Sequence, residues 1–495
     1  MRPSGRPHRL LAALALLLAL TGGAVAAAER APRAAGLEVC PGCPIDSIAE
    51  AIAQAQPGAR IEVRGGTYPG GLVIDRPLTL VGIDGPVIDG GGSGTLVTAS
   101  GVDFAISGFT LRGTGISLDK EDAAIVVEQG KAVLVGNHIE DALFGIYLKQ
   151  APGSIVRDNV ILSKALPVAR RGDGIKTWYS DDVVIEGNRA VDGRDIILWY
   201  SNRGLVRDNV FDGGRYGLHL MFSDDARIEA NSLSGNSIGL YVMYSRSPTV
   251  VGNALSNNHG PSGGGIGLKD VDHAVVEGNR FVNNNIAAQV DTSPREMGIE
   301  NYFRGNVFAY NQVGIGFMPS VRHNTLSGNA FIDNAEQVAI LGRGHLRDIT
   351  WAENGAGNYW SDYAGFDADG DGLGDLPYRS QRLFESLVAR HPALRLFTFS
   401  PAAMAVDFAA RAAPEVRPET KLEDPAPLMR PAPHAALPVA PAADPGARLA
   451  MGGAGRALAA VSLGTIVALR RPTGTPRSRR PNRRLRLAPQ GGREA

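Results

Sequence analysis

The 495-residue chain has only two cysteines, few aromatic residues (6%) and no excess of either charge, with 50 Lys plus Arg against 50 Asp plus Glu. Each shortage excludes something. Two cysteines allow at most one internal disulfide, so disulfides do not build this fold. Balanced charge points to no polyanionic partner, and nucleic acid is not expected. No apolar run reaches the ~20 residues that cross a bilayer; residues 10–20 and 458–469 both fall short. Glycine, by contrast, is abundant at 62 residues. High glycine with few aromatics suits a turn-rich β protein better than a helical enzyme.

The ends differ from the middle. Arg2, Arg6, His8 and Arg9 precede the apolar run 10–20, and the small residues 24–28 follow it. That order predicts a secretory leader over residues 1–28, cleaved near Ala26 or Ala28, and export to a bacterial periplasm. Cys40 and Cys43 form "CPGC". In an oxidising compartment this pair reads as a local disulfide closing the N-terminal cap, a redox pair or a soft-metal site. From residue 412 the chain is rich in Pro and Ala and ends in an Arg cluster. That composition predicts a disordered, solvated tail over 412–495, with anionic lipid as a candidate contact.

Between the ends the sequence repeats itself. An Asn row recurs at Asn137, Asn159, Asn188, Asn209, Asn231, Asn253, Asn279, Asn306 and Asn329. A Gly row, opening short apolar runs, recurs at Gly145, Gly174, Gly217, Gly239, Gly265 and Gly314, with Asp195 and Ala287 as substitutes. A spacing near 22 with β-type runs and Asn/Gly turns predicts the coils of a parallel β-helix. Coils stacked ~4.8 Å apart would pair each strand with its counterparts above and below. Roughly a dozen coils make a rod about 50–60 Å long. Asn tolerates left-handed corners, and stacked amides can bond coil to coil, so the Asn row is assigned no chemistry. Residues 45–54 read as a helix covering the first coil. The expected organisation is an N-terminal segment and cap over 29–56, a β-helix over 57–350 and a C-terminal cap over 351–411.

Strand alternation sorts the side chains. Counting from the row-opening Gly, offsets one, three and five are apolar and are expected to fill the bore: Leu218, Leu220 and Phe222, then Leu240, Val242 and Tyr244, with Tyr179 and Tyr200 in earlier coils. Offsets two and four are expected to face out. Offset four reads Trp178, Trp199, Met221, Met243, Lys269, Asp291, Met318; offset two includes Lys176, Ile197, His219 and Tyr241. An apolar patch awaiting a cover is one explanation of this face, with Trp178, Trp199 and Tyr241 as interface residues. The other is softness: thioether and imidazole suit Cu(I), and Met221, Met243 and His219 fall within reach of one ion, with Met318 as a further candidate. A carbohydrate-binding or carbohydrate-cleaving β-helix is the alternative, since outward Trp suits a sugar face. It requires paired carboxylates, and no acidic pair occupies neighbouring outer offsets.

The segment "GNYWSDYAGFDADGDGLGD" follows the coils. Asp367, Asp369, Asp371 and Asp375 match much of a Ca²⁺ loop, but Tyr378 stands where a bidentate Glu belongs, so a structural turn, with or without calcium, is expected. This segment, with "RRGDGIKTWYS", "GRYGLHLMFS", "GLYVMYS" and "DPAPLMRP", resembles the NosD family across residues 44–431. The resemblance implies a right-handed parallel β-helix that is not an enzyme. It implies a periplasmic protein held at the inner membrane through an ABC transporter made of a membrane subunit and its ATPase. It also implies passage of copper from a lipoprotein chaperone to apo nitrous oxide reductase, with sulfur supply associated with the same system. "CPGC" and the Arg-rich tail depart from the family pattern.

Overall fold

The computed structural model describes residues 36–260, 263–380, 383–398, 400–412 and 420–431. The expected leader and the residues beyond 431 lie outside them. Three parallel sheets build the body. Sheet A has 14 strands, from Leu37–Val39 to Ile349–Thr350. Sheet B has 13, from Thr67–Pro69 to Tyr359–Trp360, and sheet C has 12, from Leu72–Ile74 to Glu336–Ile340. The chain visits C, A and B in turn and then steps up one coil, giving a right-handed solenoid of about 14 turns.

The strands are two to six residues long because each side of the coil is short and ends in a left-handed corner. Those corners explain the Asn row. The left-handed residue is the one before each Asn: Gly136, Asp158, Gly187, Asp208, Ala230 and Gly252 all have φ between 52° and 65°. The Asn itself turns inward. Asn209 Nδ2 donates to the Asn231 side chain at 2.9 Å and to Ile185 O at 2.9 Å, and Asn209 Oδ1 accepts from Asn188 N at 2.8 Å. The ladder runs on to Asn358. A second buried ladder joins Asn236, Asn258, Asn284, Asn311 and Asn334. These bonds satisfy corner amides that the sheets leave unpaired.

Offsets one and three fill the bore as alternation requires; Leu218, Leu220, Leu240 and Val242 are fully buried. Toward the far end the bore carries a ring stack, Phe281–Phe308–Phe331–Trp360, with centroids 4.4–5.0 Å apart. Both ends of the solenoid are closed. Helix α1 (Ile48–Gln54) buries Ile48, Ala51 and Ile52 against the first coil. Ala49, apolar like Ile48 and Ile52, is exposed. At the other end sit helices α2 (Leu383–Arg390) and α3 (Pro401–Ala412) and the segment 420–431. Composition assigned that last segment to the tail, yet it is folded. Glu423–Asp424 pairs antiparallel with Tyr378–Arg379, and Asp424 accepts bonds from Asn358 N at 2.7 Å and Trp360 Nε1 at 2.9 Å.

Candidate metal site

Sheet C carries the residues of interest. Its offset-four column runs in register through Glu128, Lys149, Trp178, Trp199, Met221, Met243, Lys269 and Asp291. Met221 and Met243 are adjacent rungs, one strand spacing of ~4.8 Å apart, and both are half-buried. Trp178 and Trp199 meet edge to face, with centroids 4.7 Å apart at 76°.

The offset-two column departs from expectation. Lys176, Ile197 and His219 are in register there, yet all three are buried. Neighbouring loops and long side chains fold over this part of the sheet. Glu121, in the loop before Ala123–Glu128, reaches Lys176, and the Lys176 ammonium lies 4.5 Å from the Tyr147 ring centroid. Two Arg–Asp pairs cover the next coils, Arg194 with Asp173 and Arg215 with Asp195.

His219 is 6% exposed. Tyr216 meets it edge to face at 5.0 Å, and Tyr241 lies nearly parallel at 6.0 Å. Neither ring nitrogen has a hydrogen-bond partner, and Nδ1 stops 3.7 Å from Asp195 Oδ2. Burial pushes the Asp195 carboxyl up, but His219 and the Arg215 guanidinium outweigh it and hold it below the usual carboxylate range. With Nδ1 facing Asp195, Nε2 is the ring atom left buried without a protein partner, which is costly unless it has another use. Beside it, Gly267 lets the Tyr241 ring lie flat on the next rung; a Cβ there would come within 2.8 Å of that ring. A cleft of about 140 Å³ opens between Tyr216, Tyr241, Gln289 and Asp291. His219 and Met221 stand two residues apart on one strand face and Met243 is the next rung after Met221, while the cleft lies to one side and is lined by none of the three.

Other candidates fall elsewhere. Met318 lies three strands beyond Met243 in sheet C, ~14 Å along the axis, and packs against the core. It is not brought to the Met221–Met243 pair. Cys40 and Cys43 are joined as a disulfide, which leaves no thiolate to hold copper. Asp367, Asp369 and Asp371 converge, with carboxylate oxygens within 4.8 Å of one another. Asp375 does not join them; it accepts from Ala368 N at 2.8 Å. Asp367 accepts from Gly370 and Gly372, so this turn is closed by its own backbone donors.

Offset five is the clearest correction. Tyr179, Tyr200, Phe222 and Tyr244 do not enter the bore. Each adopts φ of 48–54° immediately after its strand and turns its ring outward. The rings stack coil on coil: 4.8 Å for Tyr179–Tyr200, then 4.9 Å for Tyr200–Phe222 and for Phe222–Tyr244, all within 15° of parallel. Alternation holds only inside a strand, and these residues lie one step past its end. Asp195, Arg215 and Tyr216 were also missed as neighbours of His219. The Asp in place of a row-opening Gly was the available signal.

Comparison with known proteins gives a consistent result. A family model described as periplasmic copper-binding protein (NosD) matches residues 158–365, and one for a right-handed β-helix region matches 87–225. A Pseudomonas aeruginosa protein named probable ABC transporter binding protein NosD is 33% identical over 392 residues, 76% of this chain and 90% of that one. A Stutzerimonas stutzeri protein of the same name is 28% identical over 441 residues, 85% and 94% respectively. Among solved structures, the A-module of Azotobacter vinelandii mannuronan C-5 epimerase AlgE4 has a TM-score of 0.47 at 17% identity, covering 61% of this chain and 93% of that one. The catalytic unit of the α-1,3-glucanase from Streptomyces thermodiastaticus has a TM-score of 0.49 at 14% identity, covering 63% and 65%.

Proposed function

Because the chain belongs to the NosD family, we propose that it is a periplasmic accessory protein of nitrous oxide reductase maturation that carries Cu(I) on His219, Met221 and Met243. The observation that carries this reading is the buried His219 imidazole, its Nε2 without a protein partner and its Nδ1 facing Asp195, beside two methionine rungs. Thioether and neutral imidazole are soft donors that favour Cu(I) over hard cations. A set of two sulfurs and one nitrogen on a half-buried face suits cargo that must leave again. The relatives' name supports an ABC transporter as the partner at the membrane. In this reading a lipoprotein chaperone supplies the copper, the apo-enzyme receives it, and ATP hydrolysis on the cytoplasmic side times release. Sulfur cargo is the alternative within the same role.

The stacking of the corner rings bears on the carbohydrate alternative. The inner rungs cover one another's faces along the helix axis, so mainly ring edges point outward. A sugar platform needs exposed faces.

Cu(I) titration of the mature chain against a bathocuproine-type competitor, without oxygen, tests the site. Stoichiometric binding is expected in the wild type and in Cys40→Ser/Cys43→Ser. It is expected to disappear in Met221→Ala/Met243→Ala and to weaken in His219→Ala. Full binding by the methionine variant would overturn the assignment.

A further inference from the structure

The Cys40–Cys43 disulfide has no part in the metal site described above, and the N-terminal cap is held without it. Both cysteines lie in one turn between Leu37–Val39 and helix α1. The main chain already closes that turn: Cys43 N donates to Cys40 O at 3.0 Å, and Cys40 N donates to Ile45 O at 3.3 Å. Pro41 and Gly42 fill its two central positions, and Gly42 has φ 82°. Proline first and a left-handed glycine second are what a type II turn requires. Backbone preference therefore holds the two Cα atoms, 5.2 Å apart, as well as the bridge does. The turn is also seated on the first coil independently of the bridge. Leu37–Val39 pairs with Ile61–Val63, and the Pro41 ring lies against Gly66, where a Cβ would come within 3.0 Å of it. A disulfide stabilises more as the loop it closes lengthens, and this one spans a sequence separation of 3. Cys40 and Cys43 are partly exposed, and Pro41, Gly42 and Pro44 around them are exposed. A buried bridge is shielded from attack; this one is open to an incoming thiolate.

We propose that Cys40 and Cys43 are a redox pair that, once reduced, forms a second Cu(I) site. The electron donor is a protein dithiol. One of its thiolates attacks a sulfur of the bridge and gives a mixed disulfide; its second thiol then displaces the bound cysteine. Two electrons and two protons pass to the pair, and the donor leaves as a disulfide. Because the turn persists without the bridge, the two sulfurs stay within reach of one ion. Two thiolates are a soft donor set that selects Cu(I), and metal binding releases their protons. Reoxidation removes both donors at once, so the redox state of the pair decides whether copper is held. The site is separate from the methionine rungs. Met221 lies on the seventh strand of sheet C, six strand spacings or ~29 Å beyond the first. Its occupancy does not depend on the reading of His219, Met221 and Met243.

The test uses the full mature chain without oxygen. Dithiothreitol is added in the absence of denaturant, and free thiols are counted by maleimide mass shift. Both cysteines are expected to label, with the hydrogen-exchange protection of Ile48–Gln54 unchanged. The reductant is then removed and Cu(I) is titrated against a bathocuproine-type competitor. The reduced chain is expected to bind one equivalent more than the oxidised chain, with new thiolate-to-copper absorption in the ultraviolet. Met221→Ala/Met243→Ala should keep this extra equivalent, and Cys40→Ser/Cys43→Ser should lose it. Absence of binding by the oxidised wild type would count against the methionine site alone, so the two assignments fail separately. A bridge that resists dithiothreitol until the chain unfolds, loss of α1 protection on reduction, or no extra equivalent in the reduced chain would overturn the proposal.

Discussion

At the scale of single residues, the candidate site is set by what Asp195 and His219 do to each other. Asp195 is fully buried between Arg215 and His219, and its pKa is lowered. A lowered folded-state value means that its contribution to stability is complete above the unfolded value of about 4. That contribution is lost as pH falls through the lowered value. Asp173, one coil earlier, runs the other way: burial raises its pKa despite Arg194. Its contribution is complete below about pH 4 and is lost as pH rises through the raised value. Urea midpoints measured from pH 3 to 8 should therefore lose acid sensitivity in Asp195→Asn and lose the opposite slope in Asp173→Asn. At neutral pH, Asp195→Ala should cost about 1–3 kcal/mol, because it removes the acceptor of Tyr216 N and of the half-exposed Arg215 guanidinium. Met221→Leu/Met243→Leu should keep stability within about 1.5 kcal/mol while removing Cu(I) binding, since packing is nearly conserved and sulfur is not.

At the scale of the repeat element, neighbouring positions should respond in opposite ways. Ala230 has φ 52°, which a glycine adopts without strain, so Ala230→Gly should change stability by about 0.5 kcal/mol at most. Asn231 is the next residue. Its Oδ1 accepts from Asn209 N and Nδ2, and its Nδ2 donates to Val206 O and Asn253 Oδ1. Asn231→Ala leaves several buried groups unsatisfied and should cost about 3 kcal/mol or more by urea denaturation. This contrast also shows what the sequence made legible. The coil period, the coil-to-coil Asn ladder and the bore at offsets one and three follow from spacing and alternation, but the left-handed corner falls on the residue before each Asn and not on the Asn as its tolerance for that conformation suggests. Nor does the aromatic corner follow, because Phe222 and Tyr244 read as a fifth alternating position until the backbone turns left-handed under them. Burial of His219 and Lys176 was hidden because Tyr216 and Glu121, at the edges of the period, pack against them. The second Asn ladder was missed because only its later rungs, from Asn236 on, are asparagines.

At the scale of the molecule, a solenoid has one weak point at each end, because each coil relies only on its neighbours. Segment 420–431 closes the C-terminal end through few contacts. Asp424 holds Asn358 and Trp360, Leu428 N donates to Asn358 O at 2.9 Å, and Lys421 bridges Glu336 and Glu385 at 2.6 and 2.7 Å. Gly357 gives the Asp424 carboxylate its place, since a Cβ there would overlap its oxygens. Asp424→Ala and Gly357→Ala should both unlatch this end. In a one-dimensional stack the loss propagates only a few coils before the ladders hold. Native-state hydrogen exchange should then show lost protection in Tyr359–Trp360 and Ala330–Ile332, with Ala123–Glu128 and Phe144–Lys149 unchanged. Cu(I) binding should survive, because Met243 lies four strands of sheet C before the last, Glu336–Ile340. A uniform loss of protection along the whole rod would instead mean that the solenoid unfolds as one unit, with its metal face tied to its cap.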